Sequence, residues 1–162
     1  MANKSFIKHK LNLFKQTQGY CGPTSLKIVL DYFGINLSEK KIAELAKSSR
    51  KHGTTPENIL KVLKNHGFKN AKIKTNSSIK ELELEIKKAP VIVNWFYDFC
   101  GHYSVAIGYT KKSLILAEPL EGKIKYLDKF DFLVSWFDYK GDVPKSSGDF
   151  IIRTMIILGK KG

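Results

Sequence analysis

One stretch of the chain, Gln16-Thr-Gln-Gly-Tyr-Cys-Gly-Pro-Thr-Ser-Leu-Lys-Ile-Val-Leu-Asp-Tyr-Phe-Gly34, passes from turn residues to a cysteine and then to an apolar run. Pro23 suits the first turn of a helix, because the backbone N–H that it lacks would be unpaired there. Cys21 therefore lies at or just before a helix N-terminus. Apolar side chains then recur with the spacing of one buried helical stripe, at Leu26, Val29, Leu30 and Phe33. The pattern predicts a helix that is held rigidly in a core.

The predicted helix start gives Cys21 a possible chemical role. Unpaired N–H groups and the positive end of the helix dipole favour an anion, and a thiolate is one. A thiolate on a rigid helix end is a suitable nucleophile for covalent catalysis. The backbone N–H of Cys21 and a side-chain amide, from Gln16 or Gln18, would supply the donors of an oxyanion hole. Each glutamine also fits the role of an ordinary turn residue, so the sequence alone does not choose between the two roles.

Length and composition indicate one domain with an apolar core. The chain has 162 residues, of which 43% are apolar. Its 28 basic and 15 acidic side chains give a net charge of +13, without a long basic block. This charge fits a lysine-rich surface, or attraction to an acidic peptide, an anionic lipid or a nucleic acid. No zinc-finger, RNA-recognition or helix-turn-helix pattern is present, so nucleic acid is not expected as a partner.

The cysteine content and the N-terminal sequence indicate a cytoplasmic protein. Cys21 and Cys100 are too few for a disulfide framework and lack the spacing of metal ligands. The N-terminus has no apolar signal core, and no run approaches the ~18 apolar residues of a membrane span. We expect a monomer without metal, cofactor or transmembrane segment. Residues 1–11 are expected to form an N-terminal arm, and residues 12–162 the domain.

The first half of the chain carries helix signals. Capping residues and apolar spacing predict three further helices, which begin after Ser38, Thr55 and Ser78. Ser78 and Glu81 have the spacing of a capping box. A short strand is expected over 68–75, between the last two of these helices.

Beyond Pro90 the pattern changes to short apolar runs typical of strands. Strands are expected over 91–95, 102–109, 114–117, 124–126 and 150–158. An aromatic loop is expected over 96–101, and a helix over 129–137. Helices first and antiparallel strands second are typical of the α+β class.

A cysteine nucleophile needs a base, and the base needs an orienting partner. Of the four histidines, three lie in the N-terminal arm, in a charged loop and at a helix C-terminus: His9, His52 and His66. His102 opens a buried strand directly after Gly101, so it can face a cleft. The alternative is an ordinary hydrogen-bonded core histidine.

Glu118 is the candidate partner for His102, because it ends the next predicted strand. If the two strands pair as a hairpin, these two residues lie side by side. The alternative for Glu118 is an exposed acid at a strand end. Asn94 and Asp98 compete with it as orienting residues, because they flank the neighbouring strand.

Together these residues resemble a papain-like cysteine peptidase, and specifically the bacteriocin-processing branch that removes double-glycine leaders. The similarity covers roughly residues 12–158. It rests on three segments: Cys21-Gly-Pro-Thr-Ser-Leu-Lys-Ile-Val-Leu, Gly101-His-Tyr-Ser-Val-Ala-Ile-Gly-Tyr, and Ile115-Leu-Ala-Glu-Pro. The cysteine helix followed by the Gly-His-Tyr strand is a specific combination, which neither segment is alone.

The resemblance implies a papain-like α+β fold, in which an N-terminal helical half with a central nucleophile helix packs on a C-terminal antiparallel β-sheet. It implies Cys21 as nucleophile, His102 as general base and acid, Glu118 as the third catalytic residue and Gln16 as the oxyanion donor. The family usually has Asp at the third position, and the added methylene of Glu118 predicts a less well oriented imidazole. The family's glutamine usually lies one residue further from the cysteine, where this chain has Lys15.

The activity that the resemblance implies is hydrolysis of peptide bonds, with a peptide or protein substrate cut after a Gly-Gly leader. Six residues are expected to line the substrate cleft: Gln18, Tyr20, Gly22, Trp95, Gly101 and Tyr103. In bacteriocin systems this domain is fused to an ABC transporter, whereas this chain is expected to act alone, with a separately encoded transporter as a candidate partner. The alternatives are a degenerate peptide-binding module of the same fold, an acyltransferase or amidase that uses the same residues, and a basic nucleic-acid or membrane-surface binder.

Overall fold

The computed structural model of the protein describes residues 7–162, with side chains from residue 9 onward. The α-helices of this range are α1 (Cys21–Tyr32), α2 (Glu39–Leu45), α3 (Pro56–Asn65), α4 (Ile79–Ile86) and α5 (Lys129–Ser135). The strands are β1 (Ile7–Lys8), β2 (Lys72–Lys74), β3 (Val91–Tyr97), β4 (Cys100–Tyr109), β5 (Ser113–Glu118), β6 (Lys123–Asp128), β7 (Phe137–Tyr139), β8 (Phe150–Ile152) and β9 (Thr154–Ile157). None of the helices described is long and apolar enough to cross a bilayer.

Side-chain caps begin three helices where the sequence predicts them. The Ser38 hydroxyl accepts a hydrogen bond from a backbone N–H in the first turn of α2, and the Thr55 hydroxyl does the same for α3. Ser78 and Glu81 form both bonds of the capping box at the start of α4. These local signals are confirmed because each cap pairs a backbone donor that the helix itself leaves unpaired.

Seven of the described strands form one antiparallel sheet, in the order β2-β9-β3-β4-β5-β6, with β1 paired to the end of β4. The α+β class is confirmed, since four helices precede the central strands of this sheet. Part of the expected N-terminal arm therefore belongs to the sheet, as Ile7 pairs with Tyr109. Residues 1–6 of that arm lie outside the described residues.

The sheet separates two apolar clusters. On one face, α1 packs on β4 and α3 packs on α1 and β2, through residues such as Leu26, Leu63 and Val105, all fully buried. On the other face, α4 and α5 cover β3 and β5 through residues such as Trp95 and Phe132. Helix α1 is thus buried against the strand that carries His102, which positions Cys21 at its N-terminus relative to that strand.

The aromatic loop expected over 96–101 is wrong. β3 continues to Tyr97 and β4 begins at Cys100, so only Asp98 and Phe99 join them. Both turn residues have positive φ, 52° and 62°. A two-residue turn with two positive φ values matches the twist of a hairpin, and it usually carries Asn-Gly. Asp-Phe lacks that signal, which is why the sequence suggested a loop.

The prediction of a single strand over 150–158 is also wrong. Arg153, with φ of 52°, divides it into β8 and β9. β9 enters the main sheet between β2 and β3, whereas β8 pairs with β7 in a separate two-stranded ribbon. β7 has no counterpart in the sequence prediction. It lies beside the β3–β4 hairpin and brings Asp138 to Asn94 and Gly101.

Candidate active site

Cys21 is the first residue of α1, and its side chain is half-buried. The preceding residue, Tyr20, contributes no side-chain cap, so the first backbone N–H groups of the helix keep no capping acceptor. Gly22 is buried, and a Cβ at this position would lie 2.6 Å from Thr54 Oγ1 and 2.8 Å from Thr54 Cβ. The glycine therefore lets the helix start approach the loop before α3 closely, which holds the cysteine in place.

His102 and Glu118 meet because β4 and β5 pair antiparallel with Val105 opposite Ala117, which places His102 diagonally across from Glu118 on the adjacent strand. The imidazole Nε2 is 2.6 Å from Glu118 Oε1, and both side chains are buried. The backbone N–H of Leu120 also donates to Oε1, at 2.9 Å. The carboxylate thus stays within hydrogen-bond distance of the imidazole despite its added methylene.

Ser104 holds the second oxygen of the Glu118 carboxylate. Its hydroxyl donates to Oε2 at 2.6 Å and accepts a hydrogen bond from Trp95 Nε1 at 2.9 Å. Every polar atom of this buried chain therefore has a partner, as a buried carboxylate requires. The sequence analysis missed Ser104. The period of two in a strand is the signal that places it on the same face as His102.

The environment of His102 favours its charged form. Burial lowers the pKa of His102, but hydrogen bonds to Cys21 and Glu118, together with their negative charges, outweigh it and raise the pKa to about 9. Since Nε2 bonds to Glu118, Nδ1 is the nitrogen left for Cys21. The rings of Trp95 and Tyr97 cover the imidazole, with centroids 6.2 Å and 5.4 Å from it.

Gln16 lies beside the Glu118 turn. Its backbone N–H donates to the carbonyl of Pro119 at 2.8 Å. Its side-chain oxygen is buried without a hydrogen-bond partner among the described residues, whereas Gln18 is exposed. Lys15 packs against Gly122 in the β5–β6 turn through its backbone and Cβ, and its side chain is exposed. Of the two glutamines, Gln16 is therefore the one with a partly buried amide next to the turn that follows Glu118.

Glu39, which the sequence analysis missed, fixes the segment between Gln16 and Cys21. Its carboxylate accepts a hydrogen bond from the backbone N–H of Thr17 at 3.0 Å and from the hydroxyl of Thr24 at 2.5 Å. Since Thr24 lies in α1, this carboxylate ties the segment that follows Gln16 to the helix that begins at Cys21. No feature of the sequence distinguishes Glu39 from the other acidic residues at helix starts.

The residues expected to line the cleft lie in different environments. Tyr20 is half-buried, and its ring centroid is 5.9 Å from the Arg50 guanidinium carbon. Tyr103 is buried and donates to the carbonyl of Thr54 at 2.9 Å. Trp95 is 2% exposed and packs against His102. Gly101 lies under a carboxylate, since a Cβ there would come within 2.5 Å of Asp138 Oδ2.

The other candidate orienting residues and the other histidines have different partners. Asn94 donates to Asp138 at 2.9 Å rather than to His102, and Asp98 lies in the β3–β4 turn. His9 contacts the Tyr32 hydroxyl, and His66 contacts the Val62 carbonyl. Within the part of the chain that the structure describes, no three His, Cys, Asp or Glu side chains are grouped to hold a metal ion.

Comparison with known proteins identifies the family to which the chain is similar. A model of the peptidase C39 family matches residues 10–139. An uncharacterized protein of Methanothermobacter marburgensis is 29% identical over 125 residues, which cover 75% of this chain and 80% of that protein.

Two similar solved structures are peptidase domains of transporters. The peptidase domain of Streptococcus ComA, a bifunctional ABC transporter involved in quorum sensing, has a TM-score of 0.70 at 23% identity, covering 94% of this chain and 99% of that domain. A double glycine motif protease from an AMS/PCAT transporter, in complex with its leader peptide, has a TM-score of 0.69 at 20% identity, covering 94% and 93%. A cysteine protease of Carica candamarcensis, in complex with E-64, has a TM-score of 0.61 at 15% identity, covering 93% of each chain, and the expected papain-like fold is confirmed. The chain belongs to the peptidase C39 family.

Proposed function

We propose that the protein is a cysteine peptidase that hydrolyses peptide bonds through Cys21, His102 and Glu118. One observation carries the proposal. A charged imidazole is held between the thiol at the start of a buried helix and a buried carboxylate whose two oxygens are both hydrogen-bonded. An imidazolium beside a cysteine at a helix N-terminus stabilises the thiolate, which is the nucleophilic form.

The acylation step uses this ion pair. The Cys21 thiolate attacks the scissile carbonyl carbon, an S–C bond forms, and the carbonyl electron pair moves to the oxygen. The Cys21 N–H and the Gln16 side-chain amide donate to that oxyanion. His102 then gives its proton to the leaving amine as the C–N bond breaks, which leaves a thioester.

The deacylation step restores the enzyme. Neutral His102 takes a proton from water, the resulting hydroxide attacks the thioester carbon, and the S–C bond breaks. The products are a carboxylic acid, the Cys21 thiolate and the His102 imidazolium. Glu118 keeps the imidazole oriented in both steps and stabilises its positive charge.

The proposed substrate is a peptide or protein with a Gly-Gly leader, processed in the cytoplasm for a separately encoded transporter. Membership of the C39 family supports this substrate class, as does the likeness to a double glycine motif protease bound to its leader peptide.

The test uses the full chain with synthetic double-glycine leader peptides, analysed by mass spectrometry. We expect cleavage after the Gly-Gly pair by the wild type, none by Cys21→Ala or His102→Ala, and retained cleavage by the matched cysteine variant Cys100→Ser. Circular dichroism would verify that all variants fold. Peptide binding without cleavage by the wild type would instead identify a binding module, and an amide product with an added amine would identify an acyltransferase.

Alkylation of Cys21 by iodoacetamide, followed by peptide mapping, tests the ion pair without a substrate. An activated thiolate is alkylated at pH 6, whereas an ordinary thiol reacts mainly above about pH 8. Alkylation of Cys21 only at alkaline pH would contradict the peptidase proposal.

A further inference from the structure

Asp138 of β7 lies beside Gly101, the residue that precedes His102, and it has no role in the mechanism above. Its carboxylate rests directly over Gly101, the residue before His102, in space that any other side chain at position 101 would occupy. Two donors hold it there. Asn94 Nδ2 donates to Oδ2 at 2.9 Å, and the backbone N–H of Tyr139 donates to Oδ1 at 2.8 Å.

The charge of Asp138 has no neutralising partner within residues 9–162. No Lys, Arg or His among the described residues forms an ion pair with it. This is notable in a chain with 28 basic side chains and a net charge of +13. The supporting Asn94 is only 3% exposed, and its side-chain oxygen has no partner in the described part of the chain. A half-buried anion beside an unused acceptor is an incomplete polar site.

The charges of Asp138 and Cys21 both raise the pKa values of Tyr103 and Cys100. Burial raises the pKa of Tyr103, and the negative charges of Cys21 and Asp138 raise it further. For Cys100, partial desolvation raises the pKa of the thiol, and the charges of Cys21 and then of Asp98 and Asp138 add to it. Asp138 therefore lies within electrostatic reach of the residues around the nucleophile.

A carboxylate in this place works against the thiolate, because two negative charges repel. The repulsion is relieved when a cation binds between or beside them. A peptide offers two such cations, the side chain of Lys or Arg and a free N-terminal ammonium, and a guanidinium or ammonium is the group that a half-buried carboxylate binds best.

We propose that Asp138, held by Asn94 over Gly101, forms an anionic subsite that selects a cationic group of the peptide close to the scissile bond. The inference rests on the proposed peptidase function and adds a specificity to it. Asp138 is a substrate-binding residue in this view, and it takes no part in proton transfer.

The first experiment does not depend on turnover. In a Cys100→Ser background, the rate of Cys21 modification is measured with a cationic and an anionic methanethiosulfonate, which carry a trimethylammonium and a sulfonate group. We expect Asp138→Asn to lower the ratio of cationic to anionic rates by roughly tenfold, from the loss of one nearby charge. Asp131→Asn, the same charge change on α5 across the sheet, is the matched control and should leave the ratio unchanged. Equal ratios in the two variants would overturn the subsite.

The second experiment identifies the cation. Lysine is exchanged for norleucine at each position near the cut in a cleaved peptide, with a free or an acetylated N-terminus. We expect one of these cations to lower KM by roughly tenfold in the wild type and in Asp131→Asn, but not in Asp138→Asn. Loss of the preference on acetylation would assign it to the N-terminal ammonium. Cleavage without any preference for a cation would overturn the subsite and leave the peptidase proposal intact. A changed reagent ratio with no cleavage of any peptide would support the subsite and contradict the peptidase.

Discussion

Nε2 of His102 lies 2.6 Å from Oε1 of Glu118, and both side chains are withdrawn from solvent. The carboxylate fills its remaining hydrogen-bonding capacity with Ser104 and the N–H of Leu120. The imidazole is therefore held through Nε2, and Nδ1 is the nitrogen left for the hydrogen bond to Cys21. This relationship makes the pH dependence and the supporting residues of the site accessible to experiment.

The Glu118→Gln variant should change the pH profile. In the wild type the pKa of His102 is raised to about 9, so kcat/KM should fall only as the pH rises through about 9 and the imidazolium is lost. Removing the Glu118 charge removes one cause of the raised pKa, so the alkaline limb should move down by about one pH unit or more. The measurement is kcat/KM from pH 5 to 10. Glu121→Gln, an exposed acid that bonds to Tyr97 instead, should keep the wild-type limb. An unmoved limb in Glu118→Gln would contradict the coupling.

The same pair contributes to stability with a defined sign. The folded pKa of His102 lies above the ordinary value of 6.5, so the pair stabilises the folded state fully below about pH 6.5 and loses this contribution as the pH rises through about 9. The difference in unfolding free energy between the wild type and His102→Ala, measured in urea at pH 6 and pH 10, should therefore shrink at the higher pH. A difference that grows toward pH 10 would show the opposite linkage.

Ser104→Ala should lower stability and kcat, although Ser104 is not expected to contact the substrate. The change leaves Glu118 Oε2 and the indole N–H of Trp95 buried without partners, which should cost about 1–3 kcal/mol of unfolding free energy. We expect kcat to fall while KM stays near the wild-type value, because the imidazole is oriented less firmly. Ser135→Ala, whose hydroxyl bonds only within its own helix, is the control for loss of a serine. Full activity in Ser104→Ala would show that the carboxylate needs no second support.

Alanine substitutions of Gln16 and Gln18 should have clearly different effects on kcat. Gln16→Ala removes the partly buried amide beside the catalytic turn and should lower kcat by ~10²–10³ if that amide stabilises the oxyanion. Gln18→Ala changes an exposed turn residue and should leave kcat within about twofold, as a surface substitution does. Steady-state kinetics on one peptide decide between them. The reverse pattern would assign the oxyanion donor to Gln18.

Gly22→Ala tests the close approach at the helix start. A Cβ there would lie 2.6 Å from Thr54 Oγ1, so the variant should lose about 1–3 kcal/mol of unfolding free energy through overpacking. Adding Thr54→Gly should recover part of that loss, because the colliding atoms are gone. Urea unfolding of the single and double variants measures both effects. A single variant as stable as the wild type would mean that the loop before α3 yields without cost.

Much of the architecture follows from local signals. Ser38, Thr55 and the Ser78–Glu81 capping box mark helix starts because their side chains satisfy donors within three residues of their own position. The apolar stripe of α1 and the placement of Cys21 at its start have the same local origin. The hairpin turn at Asp98 and Phe99 was not predicted from the sequence. Its geometry depends on positive φ values, which neither residue type indicates.

The sequence by itself determined the class of fold, the helix that begins at Cys21 and the strand that begins near His102, because helical and strand periodicities and caps act over a few residues. Only the tertiary structure decided which acid meets His102, which hydroxyl supports that acid, and that Asp138 of the unpredicted strand β7 lies over Gly101. These contacts join residues that are distant in the chain, and their geometry depends on strand order and register, which emerge when the apolar clusters on both faces of the sheet pack together.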